Sequence, residues 1–400
     1  MHRVAIWIAV TVAAVTVAAC GGARGAHPTP TAPPPAPSSI VIPRGQPIVI
    51  GVSAALSGDQ ANLGRDIADA ADLAAGDRGG TLKGHPLKVQ RLDDGCTNAE
   101  NAVDVAHSLI KIDTLVGVVG PMCTTGAQAA DKVYEAAAVV HISPAATRID
   151  LSTQGERYFF RTAWRDDAQA ATQSQFAAGT LKASSAVLVD DGEPYGKTLA
   201  DAFAAAFAQA GGHIAMRERI DRGTVEFSAL AQQVKSASPD AVVFEGLNPE
   251  GALLVKALRD AGYAGSFIAP DGLLSVRDFI APGGAAAEGT IVTGGATPDD
   301  AFSGRFKDRF QRMPTTPFVL QSYDAVNVLL EAVASAATEA GDGALVIDRA
   351  RLADALRAQR FAGLTGPIQF DENGDRRGDT AAELGLAIYR VVNGRFEKVQ

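Results

Sequence analysis

Hydroxyl side chains follow two short, valine-rich segments in the first half of the chain. Thr124 comes shortly after Thr114–Val119, and Thr147 comes shortly after Val139–Ile142. Short continuous apolar runs are typical of buried parallel strands, and the alanine-rich segment between these two is typical of a connecting helix. Ligands of parallel α/β sheets bind beyond the carboxyl ends of the strands, where loops lead into helices. The sequence therefore predicts that both threonines hold a small polar ligand, although a helix N-cap is a plainer role for Thr124.

Sequence signatures of catalysis are absent from the chain. It contains no Gly-x-Ser-x-Gly, no Walker loop and no His-Glu-x-x-His, and its six histidines have no partner at the spacing of a metal site or catalytic triad. Asp371–Asp375 resembles a calcium loop, but its glycine is misplaced for an EF-hand, so a hairpin turn is the better interpretation. The acidic pairs at 93–94 and 190–191 end predicted strands and are interpreted as loop caps. We therefore predict no catalytic residue, no metal site and no cofactor, and expect that the protein is not an enzyme.

The composition describes a globular protein with more than one domain. A length of 400 residues exceeds what one ordinary core accommodates, and 47% hydrophobic with 20% charged residues suit a folded chain. The net charge of −9, without any basic stripe, argues against a nucleic-acid partner. With 6% aromatic residues, a large stacking platform for sugars or bases is not expected.

The first residues carry the features of an export signal. The apolar run Val4–Ala19 is followed by Cys20, and small residues directly precede that cysteine. This pattern predicts a signal peptide over residues 1–19, with Cys20 lipidated as the first residue of the mature protein. A transmembrane anchor is the alternative, but the run is shorter than the roughly 20 residues that span a bilayer. Residues 20–46 are proline-rich and predicted to be the lipidated cysteine and an extended tether.

Export bears on the two remaining cysteines, Cys96 and Cys123. An oxidising compartment favours a disulfide between them, and each follows a predicted strand. A reactive or metal-binding pair is the competing interpretation, but no histidine or further cysteine lies at ligand spacing.

Two successive series of alternating strands and helices follow the tether. They predict an α/β fold of two doubly wound parallel-sheet lobes joined by a multi-strand hinge, with a ligand site in the cleft between the lobes. A late block of helices has no sheet of its own and is expected to pack on the first lobe. The predicted boundaries are 47–164 with 295–372 for lobe 1, and 165–294 with 373–400 for lobe 2.

Motifs distributed along the chain resemble a known family. They are Ala55–Gly58 (ALSG), DDGCTNAENAV around Cys96, GPMCTTGAQAADKVYE around Cys123, Ile142–Thr147 (ISPAAT), Asp190–Gly196, Asn248–Glu250, Ala269–Gly272, Pro317–Phe318 with Tyr323, and Gly366–Ile368 before Asp371–Asp375. Over residues 47 to 399 the chain resembles the leucine/isoleucine/valine-binding proteins, which have the type I periplasmic-binding fold and serve ABC importers. In that family, cysteines placed as Cys96 and Cys123 form a disulfide.

The resemblance implies a set of ligand contacts. It makes Thr124 a partner of the substrate carboxylate, with the Ala145 carbonyl and the Thr147 hydroxyl and N–H beside it. Tyr195 would reach in from the second lobe, and Asp271 would hold the α-ammonium in place of the family's glutamate. A carboxylate suits hydroxyls and N–H groups at a helix N-terminus, and an ammonium suits a buried carboxylate.

The remaining predicted contacts concern the side-chain pocket. Leu63 and Leu247 occupy positions where the family commonly has tyrosines, and Phe318 belongs to a shared motif. Asp271 is also one methylene shorter than the family's glutamate. The pocket should therefore differ in shape from that of the family. An amino-acid ligand in general is better supported than a branched-chain amino acid in particular.

These observations predict an extracytoplasmic solute-binding lipoprotein of an ABC importer, which binds an amino acid, branched-chain or related, between two lobes. Its expected partners are the solute, an ABC permease and the cell membrane through a lipid anchor at Cys20, without nucleic acid, and it is expected to be a monomer. The same fold could instead bind an amide, urea, a small carboxylate or an aromatic acid, or act as a ligand sensor without transport. An α/β enzyme is the least favoured class.

Overall fold

A computed structural model describes residues 38–400. The predicted signal peptide, the lipidation site Cys20 and most of the predicted tether lie outside the described residues. In chain order the strands are β1 (Ser39–Ile42), β2 (Ile48–Ala54), β3 (Thr81–Leu82), β4 (His85–Asp93), β5 (Leu115–Val119), β6 (His141–Ser143), β7 (Phe159–Arg161), β8 (Ser185–Asp190), β9 (His213–Arg219), β10 (Ala241–Glu245), β11 (Ser266–Ala269), β12 (Ile291–Gly295), β13 (Thr338–Glu339), β14 (Leu345–Asp348), β15 (Phe361–Gly363), β16 (Gly366–Ile368), β17 (Leu386–Val392) and β18 (Arg395–Lys398). The helices are α1 (Ala61–Asp77), α2 (Ala99–Leu109), α3 (Thr124–Ala136), α4 (Asp166–Gln175), α5 (Pro194–Gln209), α6 (Ser228–Ala237), α7 (Glu250–Asp260), α8 (Ala281–Gly283), α9 (Asp300–Phe310), α10 (Val319–Ala336) and α11 (Arg349–Ala358).

The first sheet has six strands in the order β3-β4-β2-β5-β6-β7, and all of its pairings except β3–β4 are parallel. Helices cover both of its faces, so its central strands are apolar along their whole length. Ile50 and Val52 of β2 point into a core shared with α1 and α10, whereas Val49 packs with α2 and α3 on the opposite face. This arrangement explains the valine-rich runs in the sequence.

The second sheet has seven strands in the order β18-β17-β12-β11-β10-β8-β9. The strands from β9 to β12 pair in parallel, and β17 and β18 add an antiparallel edge. Residues of β8 and β10 alternate between a core under α6 and α7 and a core under α4 and α5. The sheet containing β2 and its helices are called the first lobe below, and the sheet containing β10 and its helices are called the second lobe.

The chain passes between the two sheets three times, after β7, after β12 and before β17. Helix α10 packs against α1, so the late helices join the core of the first lobe. The predicted fold class, two parallel α/β lobes with several crossings, is confirmed. The exact domain boundaries stay a prediction.

The prediction that the tether extends to residue 46 is wrong for its last part. Ser39–Ile42 forms strand β1, which pairs antiparallel with β14, and Ile40 and Ile42 are buried in the core of the first lobe. The apolar side chains of this SIVI segment explain the difference, because burying them stabilises a strand that a proline-rich tether would lack.

The predicted disulfide between Cys96 and Cys123 is confirmed. It joins the loop after β4 to the start of α3, two segments that follow strands separated by β2 in the first sheet. Cys123 is the residue that precedes α3, and Thr124 is the first residue of the helix. The plainer interpretation of Thr124 as the N-cap is therefore not what the structure shows.

Candidate functional site

The loops that follow β5 and β6 place Thr124 and Thr147 at the carboxyl edge of the first sheet. Thr124 is 4% exposed and Thr147 is fully buried. The Ser143 hydroxyl joins the two loops, since it donates to the Pro121 carbonyl at 2.6 Å and accepts from the Ala146 N–H at 3.0 Å. The Thr147 hydroxyl lies within hydrogen-bonding range of the buried carboxyl group of Asp166. Both threonines thus lie at the sheet edge where the sequence predicts a ligand.

Tyr195 and Asp271 lie at the corresponding edge of the second sheet. Tyr195 is the second residue of α5, and Asp271 follows β11 and is 3% exposed. The Tyr195 hydroxyl donates to Oδ1 of Asp271 at 2.9 Å. Burial, and then the charge of Asp271, raises the pKa of Tyr195 well above its usual value, so the phenol keeps its proton and its role as donor.

Asp166, the first residue of α4, lies at a crossing between the lobes. Its side chain is fully buried, and its carboxyl group lies within hydrogen-bonding range of the Thr147 hydroxyl. Burial raises the pKa of Asp166 to about 7, the nearby Thr147 hydroxyl opposes that rise, and the charge of Asp271 adds to it. Asp166 therefore lies within electrostatic reach of groups of both lobes, Thr147 of the first and Asp271 of the second.

Asp271 shares this environment. Burial raises its pKa to about 6, and the side chains of Gln169 and Tyr195 oppose the rise. Gln169 is itself held by two hydrogen bonds: it accepts from Trp164 Nε1 at 2.6 Å and donates to the Thr293 hydroxyl at 3.0 Å. Trp164 lies at the crossing after β7, and Thr293 lies in β12, the strand that precedes the next crossing. The ammonium-binding position predicted at Asp271 is thus set into the hinge itself.

A third buried acid, Glu245, lies close to the other two. It is the last residue of β10 and is fully buried, and the Gln173 side chain lies within hydrogen-bonding range of its carboxyl group. Burial raises its pKa well above the usual value, as do the charges of Asp271 and Asp166, while Gln173 of α4 opposes the rise. Asp166, Glu245 and Asp271 are called the acidic cluster below.

Sequence reasoning missed Asp166, Glu245 and Gln173. Asp166 begins a predicted helix, where acids are common for reasons of the helix dipole alone. Glu245 ends the apolar run AVVFE at the carboxyl end of a predicted strand. This position indicates a possible binding residue, because ligands bind at that edge of a parallel sheet. Gln173 had no such signal, since it lies mid-helix in a polar segment.

The three apolar residues of the predicted site occupy different surroundings. Leu63 and Leu247 are half-buried, and a Cβ added to Gly272 would come within 2.7 Å of the Leu247 side chain. Leu247 therefore lies beside Asp271. Phe318 is 3% exposed and stacks on Trp164 with ring centroids 5.3 Å apart, so it has a packing role at the crossing. Contact of these residues, and of half-buried Ala145, with a ligand stays a prediction.

Direct hydrogen bonds between the lobes show a closed cleft. Gln60 Nε2 donates to the Asn248 carbonyl at 3.0 Å, and Asn62 Nδ2 donates to Oδ1 of Asp278 at 2.7 Å. Gln60 and Asn62 lie at the start of α1, and both acceptors belong to loops of the second lobe. The acidic cluster is consequently shielded from solvent.

The cluster does not have the arrangement of a metal site. Across residues 38–400 no group of three or more His, Cys, Asp or Glu side chains is placed to hold a metal ion. The arrangement suits a cation that donates hydrogen bonds to oxygen atoms, such as an ammonium. Over the same residues, no helix combines the length and the hydrophobicity needed to cross a bilayer.

A sequence model described as periplasmic binding protein matches residues 47–395. The chain belongs to the periplasmic binding protein family. This confirms the resemblance inferred from the motifs.

The chain is also similar to individual proteins, among them amino-acid-binding proteins and a protein of known crystal structure. The chain is 31% identical over 302 residues to a leucine-, isoleucine-, valine-, threonine- and alanine-binding protein of Pseudomonas aeruginosa, covering 74% of this chain and 78% of the relative. It is 29% identical over 334 residues to an amino acid binding protein of the same organism, covering 82% and 87%. Among crystal structures, a leucine binding protein from Thermotoga maritima superposes with a TM-score of 0.78 at 25% identity, covering 88% of this chain and 98% of that one.

Proposed function

We propose that this protein is the extracytoplasmic solute-binding component of an ABC importer and that it binds an amino acid between its two lobes. The observation that carries the proposal is the convergence of Thr147, Asp166 and Asp271 in a closed, buried place at the hinge. The relatives named as amino-acid-binding proteins support the same conclusion.

The two ends of an amino acid match the two sides of the site. The α-ammonium is held by Asp271, which Tyr195 orients, and Asp166 lies within electrostatic reach of the same group. The α-carboxylate is held at the first lobe by Thr124 at the start of α3, with the Thr147 hydroxyl and the Ala145 loop beside it. A helix N-terminus favours an anion, and a buried aspartate favours a cation, so the zwitterion has one preferred orientation.

The proposal extends to the place and partners of the protein. The lipid on Cys20 anchors it to the outer face of the cell membrane, as a monomer that delivers its solute to an ABC permease. A binding protein requires no catalytic residue, which agrees with the absence of catalytic motifs from the sequence.

Isothermal titration calorimetry with a panel of amino acids tests the proposal. We expect saturable binding of at least one amino acid and a loss of at least about thirtyfold in affinity for Asp271→Asn, since the ammonium then loses a buried charged partner. Asp113→Asn is the matched control. Asp113 is exposed just before β5, at the amino ends of the strands of the first sheet, whereas the proposed site lies at their carboxyl ends.

If the protein binds none of the amino acids in the panel, the proposal is refuted. Binding of neutral amides, urea or aromatic acids in their place would favour the alternative ligand classes for the same fold. Unchanged amino-acid affinity in Asp271→Asn would refute the role of that aspartate.

A further inference from the structure

The loop that follows β10 is bonded to the loop that holds Asp271. Asn248 is 7% exposed, and its Nδ2 donates to the Gly272 carbonyl at 3.1 Å. Gly272 directly follows Asp271, the residue proposed to hold the α-ammonium. Because this hydrogen bond fixes the backbone next to Asp271, Asn248 helps to set the position of the Asp271 carboxylate.

The same two loops are also in close steric contact. A Cβ added to Gly272 would lie 2.7 Å from the Gly246 carbonyl oxygen and 2.7 Å from the Leu247 side chain. Real Cβ atoms essentially never come that close to other atoms, so the absence of a side chain at Gly272 lets the loops touch. A displacement of the loop after β10 is therefore expected to displace Asp271 as well.

The first lobe contacts the second at this loop. The Asn248 carbonyl accepts from Gln60 Nε2 of the first lobe at 3.0 Å and from Arg222 Nη2 of the second lobe at 3.2 Å. Arg222 is paired with the buried carboxylate of Glu250, to which the Gly223 N–H also donates at 2.6 Å. The loop that Gln60 contacts is thus held in place by hydrogen bonds within the second lobe.

The other hydrogen bond across the cleft involves a different loop. Asn62 Nδ2 donates to Oδ1 of Asp278 at 2.7 Å, and the Ser275 hydroxyl donates to Oδ2 of the same aspartate at 2.9 Å. Gln60 and Asn62 both lie at the start of α1, so they close the cleft from the same side. The contact made by Gln60 is the one that continues through Asn248 to the backbone beside Asp271.

We propose that Asn248 is a positioning residue that couples closure of the cleft to recognition of the solute's α-ammonium. Gln60 binds the Asn248 carbonyl, and the Asn248 side chain holds the Asp271 loop, so closure and correct placement of the carboxylate favour each other. The proposal concerns the α-ammonium and therefore rests on the proposed function. It predicts that Gln60 and Asn248 strengthen binding of a solute with an α-ammonium more than binding of one without it.

Amino acids and their deamino analogues test this coupling by calorimetry. The pairs are leucine with 4-methylpentanoate, alanine with propanoate and, for any other amino acid that binds in the panel, the acid with hydrogen in place of the α-ammonium. Competition against the amino acid measures the affinity of the weaker analogue. Asn248→Ala should weaken binding of the amino acid by about threefold to tenfold and binding of its analogue by less than about twofold. Equal losses, which a purely structural role gives, or an unchanged amino-acid affinity would refute the proposal.

Gln60→Ala and Asn62→Ala form a matched pair, because each removes one hydrogen bond between the lobes. Gln60→Ala should weaken the amino acid more than its analogue, whereas Asn62→Ala should weaken both to the same extent. The combined variant of Gln60→Ala and Asn248→Ala should lose less amino-acid affinity than the product of the two single losses, because both changes interrupt the same connection. Single losses that simply multiply would overturn the coupling.

Gly272→Ala provides an independent variant if Asn248→Ala does not fold. Its Cβ pushes the two loops apart and changes no other side chain, so it should show the same selective loss for the amino acid. A thermal melt of each variant verifies folding. If the wild-type protein binds no amino acid, the proposed function fails and this proposal fails with it. Wild-type binding of an amino acid, with equal losses for its analogue in the variants, overturns this proposal alone.

Discussion

Replacing Asp166 by Asn should stabilise the ligand-free protein at neutral pH and above. Asp166 is fully buried, and burial raises its pKa from the ordinary 3.8 to about 7. The folded state therefore holds a proton on this group at pH values where the unfolded chain has already lost it. The free energy of unfolding consequently falls as the pH rises from about 4 to about 7, and it levels off at higher pH.

The size of the effect follows from the two pKa values. One pH unit corresponds to about 1.36 kcal/mol, so a rise from 3.8 to about 7 corresponds to about 4 kcal/mol of stability lost across this range. Asp271, with a pKa of about 6, loses its proton in the same range and contributes about 3 kcal/mol in the same direction. Among the charged groups around Asp166, Asp271 and Asp167 raise its pKa and Arg161 lowers it.

Urea denaturation of the ligand-free protein at pH 4.5, 6, 7.5 and 8.5 measures this effect. Asparagine resembles the protonated acid, so Asp166→Asn should match the wild type at pH 4.5 and exceed it by up to about 4 kcal/mol at pH 8.5. Asp113→Asn, at an exposed site, should follow the wild-type curve. Wild-type stability that increases with pH through this range, or an Asp166→Asn curve parallel to the wild type, would refute the reasoning.

Two further changes give independent predictions. Serine at both Cys96 and Cys123 opens a crosslink between residues 27 positions apart, so the free energy of unfolding should fall by about 3.5 kcal/mol, measured by urea denaturation beside the reduced wild type; a loss below 1 kcal/mol would contradict this entropic account. Asn62→Ala removes the hydrogen bond to Asp278 across the cleft, so solute should dissociate about three- to tenfold faster in stopped-flow fluorescence while the association rate stays the same. An unchanged dissociation rate would show that this contact does not hold the lobes closed.

Much of the fold could be predicted because its strands are buried on both faces. Segments such as Leu115–Val119 and Ala241–Glu245 are continuously apolar up to their last residues, and they alternate with helical segments at the spacing of parallel sheets. The chain order of these units then requires two sheets with several crossings between them. Strand β1 could not be predicted in the same way. Its four residues follow a proline-rich stretch, and they pair with β14, which lies about 300 residues later in the chain.

The site was predictable only in part. Thr124, Thr147 and Asp271 come shortly after strands, so their positions at the sheet edges could be predicted from the sequence. Asp166 and Glu245 look like an ordinary helix start and strand end. Their burial depends on how α4 packs over the second sheet beside the hinge, and that packing joins residues far apart in the chain.

The hydrogen bond between Tyr195 and Asp271 has a consequence for how the solute is captured. Both residues belong to the second lobe, and the Ser143 hydroxyl that fixes the threonine loops makes its bonds entirely within the first lobe. Each half of the proposed site is thus held by hydrogen bonds within its own lobe. We expect capture to require a rigid-body movement and little rearrangement of side chains, which spares the conformational entropy that a loosely organised pocket loses on binding.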